Sequence, residues 1–292
     1  MVGRFSDPHI AAVDSGLKRR EISPVLIEDI ESPKQWPWFA IAAPSSENSR
    51  ARGLIRCLPR SPTAGRSALG SAWREFTDGL VSDPRVEWLS GLVDIRQADN
   101  KLYQLALADR IGVKHPRTVV ARTTADIGNY IGEEVVLKPL GPGVINNGDG
   151  PRVFYATLVE LSDLADSELA YEPVIAQQPL SADEHLRVVT VGARIWCGSL
   201  SAVGLPLDWR ESPALRWRKC DVPRVVARDA LRLARISGIG FLSQDWIRVG
   251  DDFWFLDLNP NGKWLFLPEE VAGPVTDAIV TWLANGNDVR YN

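Results

Sequence analysis

The chain has 292 residues, 45% hydrophobic and 24% charged, an ordinary globular composition that leaves room for about one to three domains. Its formal net charge of −4 argues against a broad nucleic-acid-binding surface. No apolar run is long enough to span a membrane, and the first residues lack the apolar core of a signal peptide. Cys57, Cys197 and Cys220 are scattered without metal-ligand spacing, so they read as reduced thiols of a cytoplasmic protein.

Residues 1 to 95 form a loosely patterned first region that carries no constellation tied to a reaction. The apolar runs Val25-Leu26-Ile27 and Trp38 to Ala43 predict buried strands. Pro44 to Gly70, rich in Ser, Arg, Pro and Gly, predicts a long loop. Trp73 to Leu80 and Pro84 to Leu92 predict short helices.

The spacing of Leu102, Leu105, Ala106 and Ile111 predicts a helix, with Asp99 as its N-cap and Gly112 just past its end. A strand over Thr118 to Ala121 and a helix over Thr124 to Ile131 follow. Glu134 to Leu140 reads as a strand that carries Lys138 after an apolar run. The glycine-rich loop Gly141 to Gly150 comes next; its backbone amides suit phosphate oxygens, although no Gly-Lys-Ser/Thr follows.

Val174 to Leu180 predicts another buried strand. Leu186 to Leu200 predicts a hairpin that turns at Gly192-Ala193. Asp208 to Val222 is a polar excursion bearing Arg210, Arg216, Arg218 and Lys219. Arg224 to Ser237 predicts an amphipathic helix ended by Gly238, and Pro274 to Asn285 predicts the last helix.

Between those two helices lie Gln244 to Val249 and Phe253 to Asn259, flanking Gly250-Asp251-Asp252, which predicts a hairpin. With a loop of those three residues, Asp245 falls opposite Asp257, and Asp257 shares a face with Asn259. Like charges facing each other across a ladder are destabilising, so the pair calls for a cation. Oxygen-only ligands suit magnesium, which usually also takes substrate phosphates.

The order of these pieces resembles the ATP-grasp superfamily of ligases, and within it the microviridin-type (graspetide) ligases that join side chains of a ribosomal precursor peptide. The resemblance runs from about Asp99 to Leu283. Its most specific part is Leu256-Asp257-Leu258-Asn259-Pro260-Asn261-Gly262-Lys263-Trp264, followed by Asn100-Lys101 with Gln104-Leu105. It implies an α/β (α+β) fold with a pre-grasp domain over residues 1–97, a central subdomain over 98–175 and a C-terminal subdomain over 176–292.

The resemblance also implies the site. Lys101 and Lys138 approach the nucleotide of ATP. Gln177, Gln178 and Leu180 form the adenine hinge, where Pro179 has no amide to offer. Asp183 or Glu184 accepts from the ribose hydroxyls. Arg187 stabilises transferred charge; Arg210 is a further catalytic candidate, in a basic excursion that would bind an acidic peptide, a leader segment or the nucleotide. Asp245, Asp257 and Asn259 hold magnesium, with Asp257 standing where the family usually has glutamate. His185 stands where the family often has an acid and reads as a surface residue.

The implied reaction activates a carboxylate as an acyl phosphate and passes it to an amine or hydroxyl. The implied partners are a precursor peptide or a small carboxylate and amine, with neither nucleic acid nor membrane, and a homodimer as in many members. A small-molecule amino-acid or peptide ligase and a non-catalytic nucleotide- or peptide-binding protein are the competing readings.

Overall fold

The architecture was obtained as a computed structural model, which describes residues 1–3, 6–26, 51–56, 78–79, 81–140, 144–146, 151–153, 155–169, 174–212 and 215–286. The expected strand at 38–43, most of the expected loop at 44–70 and most of the expected helix at 73–80 lie outside these residues; within the expected loop, Ala51–Gly53 forms a strand instead.

Two antiparallel sheets dominate. The larger has five strands: β9 (Glu184–Val191), β10 (Arg194–Ser201), β11 (Arg218–Cys220), β12 (Phe241–Val249) and β13 (Asp252–Asn259), in the spatial order β11-β10-β9-β12-β13. β9 and β10 meet through the two-residue turn Gly192-Ala193, with Val191 paired to Arg194. β12 and β13 meet through Gly250-Asp251, with Val249 paired to Asp252. Each turn places glycine first, at φ 54° and 60°, the backbone sign a tight hairpin turn requires there.

Strand alternation gives this sheet two apolar faces. Leu186, Val188, Leu242, Trp246, Phe255 and Leu258 belong to a core shared with the helix Arg224–Ile236. That helix buries Val226, Ala230, Leu233 and Ala234 and leaves Arg224, Arg228, Arg232 and Arg235 exposed, as its amphipathic sequence predicts. On the other face Val189, Val191 and Phe241 pack with Trp264 against the helices Pro8–Lys18 and Glu269–Asn285. The last helix starts five residues before the expected Pro274, at Glu269, and takes Pro274 into its second turn.

The second sheet contains β3 (Thr118–Ala121), β4 (Glu134–Pro139), β7 (Thr157–Glu160) and β8 (Val174–Gln177), in the order β3-β8-β4-β7. Ala121, Val135 and Ala176 form a separate core with Ile127 and Ile131 from the helix segment after β3. β5 (Val144–Asn146) and β6 (Pro151–Val153) pair as a small antiparallel hairpin within the glycine-rich region; residues 141–143 and 147–150 lie outside the described set. The expected boundary at 175–176 falls inside β8.

The first region differs most from expectation. Val25 is 63% exposed and belongs to no strand. The stretch expected as a helix at 84–92 instead contains the strand β2 (Val86–Trp88), paired in parallel with β1 (Ala51–Gly53). β-branched and aromatic side chains favour that extended state. Helix Leu92–Ala98 follows, and Pro8–Lys18 forms a helix that the expectations omitted, N-capped by Asp7.

Helix Lys101–Arg110 forms as expected, but Asn100 rather than Asp99 caps it, accepting from the amides of Leu102 and Tyr103. The cap fixes the first turn, and with it Lys101. No helix among the described residues is long and apolar enough to cross a membrane.

Candidate active site

The expected facing pair is present: Asp245 is directly opposite Asp257, and Asp245 also faces Arg187 on the neighbouring strand β9. The route to that register differs from the expected three-residue loop. The loop has two residues, and a bulge between Trp246 and Asp245 restores the pairing, because Leu256 is an extra residue on β13. Bulges twist a strand and re-aim its side chains. Here the bulge stands immediately beside the two acids.

Asn259 follows Asp257 by two residues and shares its face. Its amide nitrogen lies 3.2 Å from Asp245 Oδ2 and 3.3 Å from Asp257 Oδ2. Arg187 Nη1 donates to Asp245 Oδ1 at 2.6 Å, and Nη2 donates to the Lys263 carbonyl at 3.3 Å. Arg187 is only 6% exposed, and its Nε is buried without a hydrogen-bond partner among the described residues.

Burial pushes the Asp257 carboxyl up to about 6, and Asp245 adds to the push; Lys138, Lys101 and Arg187 pull the other way without cancelling it. Burial and the facing carboxylate together outweigh the three cations at Asp257.

The two lysines come from β4 of the second sheet and from the first turn of the helix Lys101–Arg110. Lys138 sits near the end of β4, and Lys101 Nζ donates to the carbonyl of the next residue, Pro139, at 2.5 Å. Burial lowers the pKa of Lys138; Asp257 opposes that shift and Lys101 reinforces it. Lys101 is lowered for the same first reason and is likewise opposed by Asp257. Both lysines thus act electrostatically on the same carboxylate.

The excursion after β10 supplies Arg210. Its Nε and Nη2 grip both oxygens of the buried Asp208, at 2.7 and 2.5 Å. Burial works to raise the Asp208 carboxyl, but the bonds from Arg210 outweigh it and hold the group below its ordinary value. Trp209 and Trp217 meet edge-on at 5.2 Å between centroids, and both pack against Phe266. The Arg187 guanidinium lies 5.8 Å from the Phe266 ring, so one aromatic cluster adjoins both arginine-bearing segments. β11 then adds as an edge strand with Arg218 and Lys219 exposed.

The hinge residues are more engaged than the sequence suggested. Gln177 is buried and donates its side-chain amide to Thr118 Oγ1 at 2.9 Å. The Gln178 amide donates to the Arg117 carbonyl, and Leu180 follows in the half-buried link to β9. Asp183 accepts from the Gly250 amide at 2.7 Å and faces Arg248. Glu184 pairs with Arg248 and, by alternation along β9, belongs to the face of Leu186 and Val188 rather than that of Arg187.

The structure therefore gathers Lys101, Lys138, Arg187, Arg210, Asp245, Asp257 and Asn259, and leaves Glu184 on the other side of the sheet. It also corrects His185, expected at the surface: the residue is half-buried on the Arg187 face, and burial lowers its pKa against the pull of Asp245 and Asp208.

Two contributors had no role assigned in the sequence reading. Asp208 anchors Arg210, a link that Asp-x-Arg spacing at a turn could have signalled. Gln104, 3% exposed, donates to the Leu258 carbonyl at 2.8 Å and accepts from the Leu258 amide at 2.9 Å. It thereby clamps the backbone between Asp257 and Asn259.

The donor set fits a magnesium nucleotide. Among the described residues the hairpin offers two carboxylates and one amide, and no group of three or more His, Cys, Asp or Glu side chains is placed to hold a metal. A magnesium ion there would complete its shell from phosphate oxygens and water. The unused donor of Arg187 and the two lysines suit those same anionic oxygens.

No family model and no curated protein matches the sequence. Solved structures do match over nearly the whole chain. The macrocyclase MdnC of Microcystis aeruginosa MRC, bound with precursor peptide MdnA, aligns with a TM-score of 0.79 at 19% identity, over 98% of this chain and 99% of that one. A RiPP-associated ATP-grasp ligase of Chryseobacterium gregarium, in complex with ADP and a leader and core peptide, gives 0.81 at 19% identity, over 100% and 97%. The ATP-grasp ligase PsnB, complexed with minimal precursor, Mg and ADP, gives 0.72 at 18% identity, over 97% and 96%. The chain has the fold of these ATP-grasp ligases.

Proposed function

We propose that the protein is an ATP-dependent carboxylate ligase that acts on side chains of a ribosomally made precursor peptide. A peptide carboxylate attacks the γ-phosphate of ATP, giving an acyl phosphate and ADP. An amine or hydroxyl of the same peptide then displaces phosphate, releasing a proton and closing an amide or ester ring.

The observation that carries this reading is the convergence of Asp245, Asp257 and Asn259 from one sheet with Lys138 of the other and Lys101 of the capped helix. Phosphoryl transfer needs positioning and charge neutralisation more than a protein nucleophile. Lys101 and Lys138 would hold the phosphates, and Arg187 the charge that moves between phosphate and acyl oxygens. Bound magnesium would add neutralisation at the β- and γ-oxygens. Arg210, set by Asp208, would orient the substrate carboxylate. Gln178 and Leu180 would read the adenine edge, and Asp183 would reach the ribose only by exchanging its bond to Gly250.

The solved relatives support the peptide over a small substrate, because the two highest TM-scores quoted above belong to proteins bound with precursor, leader or core peptides. A cytoplasmic site of action belongs to the same reading and is supported by Cys197 and Cys220, which are free thiols.

The test is mass spectrometry of peptides rich in Asp/Glu and in Thr, Ser or Lys, after incubation with the protein, ATP and magnesium. The proposal expects loss of one water per bond formed, matched by ADP. ATP consumption with no change in peptide mass counts against it.

A further inference from the structure

The first region makes a set of contacts that the reaction outlined above does not use. Asp7 caps its helix through the His9 amide at 2.9 Å, and the same Oδ1 lies 2.7 Å from His9 Nδ1. Its other oxygen accepts from Arg56 Nε at 2.9 Å. His9 and Arg56 are 3% and 2% exposed, and Asp7 between them is half-buried.

All of it is aimed at one turn. Arg56 Nη1 donates to the Gly262 carbonyl at 3.1 Å and Nη2 to the Asn261 carbonyl at 3.3 Å. His9 Nε2 accepts from the backbone amides of Trp264 at 3.1 Å and Leu265 at 3.4 Å. The Arg56 guanidinium also lies over the Trp264 ring, 4.8 Å from its centroid. Between these anchors, the Lys263 carbonyl accepts from Arg187. The turn begins at Asn259, whose carbonyl accepts from the Gly262 amide at 2.9 Å. At Gly262 any side chain would crowd Arg187, since a Cβ there would come within 2.9 Å of Nη2.

We propose that Asp7, His9 and Arg56 form a positioning latch: they hold the 259–265 turn, and through it Arg187 and Asn259, in the placement the site requires, and they do so only while His9 is neutral with its proton on Nδ1. The tautomer follows from the bonds. Two backbone N–H groups aim at Nε2, so that nitrogen must present a lone pair, and Nδ1–H is left to donate to Asp7. A second proton would sit on Nε2, facing two donors, and release the turn.

The charged groups that act on His9 are Asp7 beside it in the chain, Arg56 from the segment after β1 and Lys263 from the turn. Burial first, and then Arg56, hold the imidazole below its ordinary value, while Asp7 opposes them. The neutral form therefore persists to lower pH than in a free histidine.

The latch rests on the reading of Arg187 and Asn259 as part of a magnesium–ATP site, so its test has two independent arms on the full chain. In ¹⁵N-labelled protein, with His9 assigned by its loss in His9→Gln, the ring is expected as the neutral Nδ1–H tautomer at pH 7; an Nε2–H or doubly protonated ring overturns the proposal whether or not nucleotide binds. In calorimetry with magnesium–ATP at pH 8, His9→Ala is expected to bind about tenfold more weakly than wild type, as for loss of about one hydrogen bond. His9→Gln, which keeps an acceptor at the ε position, is expected to stay within about twofold, and its affinity to fall less steeply than wild type's as the pH is lowered. Wild-type binding with equal affinity in His9→Ala overturns the latch, whereas no binding by wild type overturns the nucleotide reading and leaves the tautomer to judge the latch's local geometry.

Discussion

Asp245 and Asp257 stand directly opposite each other across β12 and β13, and the Asn259 amide lies within hydrogen-bonding distance of one oxygen of each. Such a pair is an electrostatic liability on its own and an asset once a divalent cation sits between the strands.

The pH dependence of magnesium binding follows. With the Asp257 carboxyl pushed up to about 6, the ionised form is less favoured in the fold than in the unfolded chain, where 3.8 is ordinary. The Asp257 contribution to metal-free stability therefore falls as pH rises from about 4 to about 6, since this group binds the extra proton in the folded state in that window. Magnesium needs the ionised form, so magnesium–nucleotide binding is expected to release a proton near pH 6. Calorimetry in buffers of different ionisation enthalpy measures that release.

Asp257→Asn removes the repulsion and a metal ligand together. The metal-free variant is expected to be as stable as wild type or up to about 1 kcal/mol more so, the size of a relieved like-charge cross-strand pair. Its magnesium–nucleotide affinity is expected to fall. Thermal unfolding with and without magnesium–ATP reads both effects, and an unchanged ligand-induced shift contradicts the assignment.

Arg187→Lys keeps the charge but loses the fork that spans Asp245 and the Lys263 carbonyl. Turnover is expected to fall about a hundredfold, in line with removal of one donor to transition-state charge. Magnesium–ATP affinity is expected to change much less. Steady-state ADP release beside equilibrium binding separates the two.

Gln104→Leu tests the clamp behind the hairpin. It strands the buried Leu258 amide and two carbonyls, those of Leu258 and Ala98. A loss of about 3 kcal/mol is expected, from unsatisfied groups costing about 1–3 kcal/mol each. Urea denaturation measures it.

What the sequence made legible was local or paired. The Lys101 helix and the two hairpins follow from periodicity and turn residues, while the Asp245–Asp257 register was reached only because two departures cancel. The helix cap shifted from Asp99 to Asn100 because neighbouring residues competed for one role. The hairpin loop was misjudged by one residue and the bulge at Leu256 compensated, since a tight turn with glycine first is favoured over a three-residue loop.

Distance in sequence hid the rest. No pattern joins His9 to Trp264 or Gln104 to Leu258, since those bonds exist only once the sheet and helices have packed. The environment of His185 was hidden in the same way, because burial depends on the excursion that folds back over β9.

Trapping with hydroxylamine tests the central claim most directly, because it intercepts an acyl phosphate whatever the natural nucleophile. The wild-type protein, ATP, magnesium and peptides rich in Asp and Glu are expected to yield peptide hydroxamate in proportion to ADP, with the yield abolished in Lys138→Ala. ADP formed without hydroxamate, or hydroxamate undiminished in Lys138→Ala, would contradict the account.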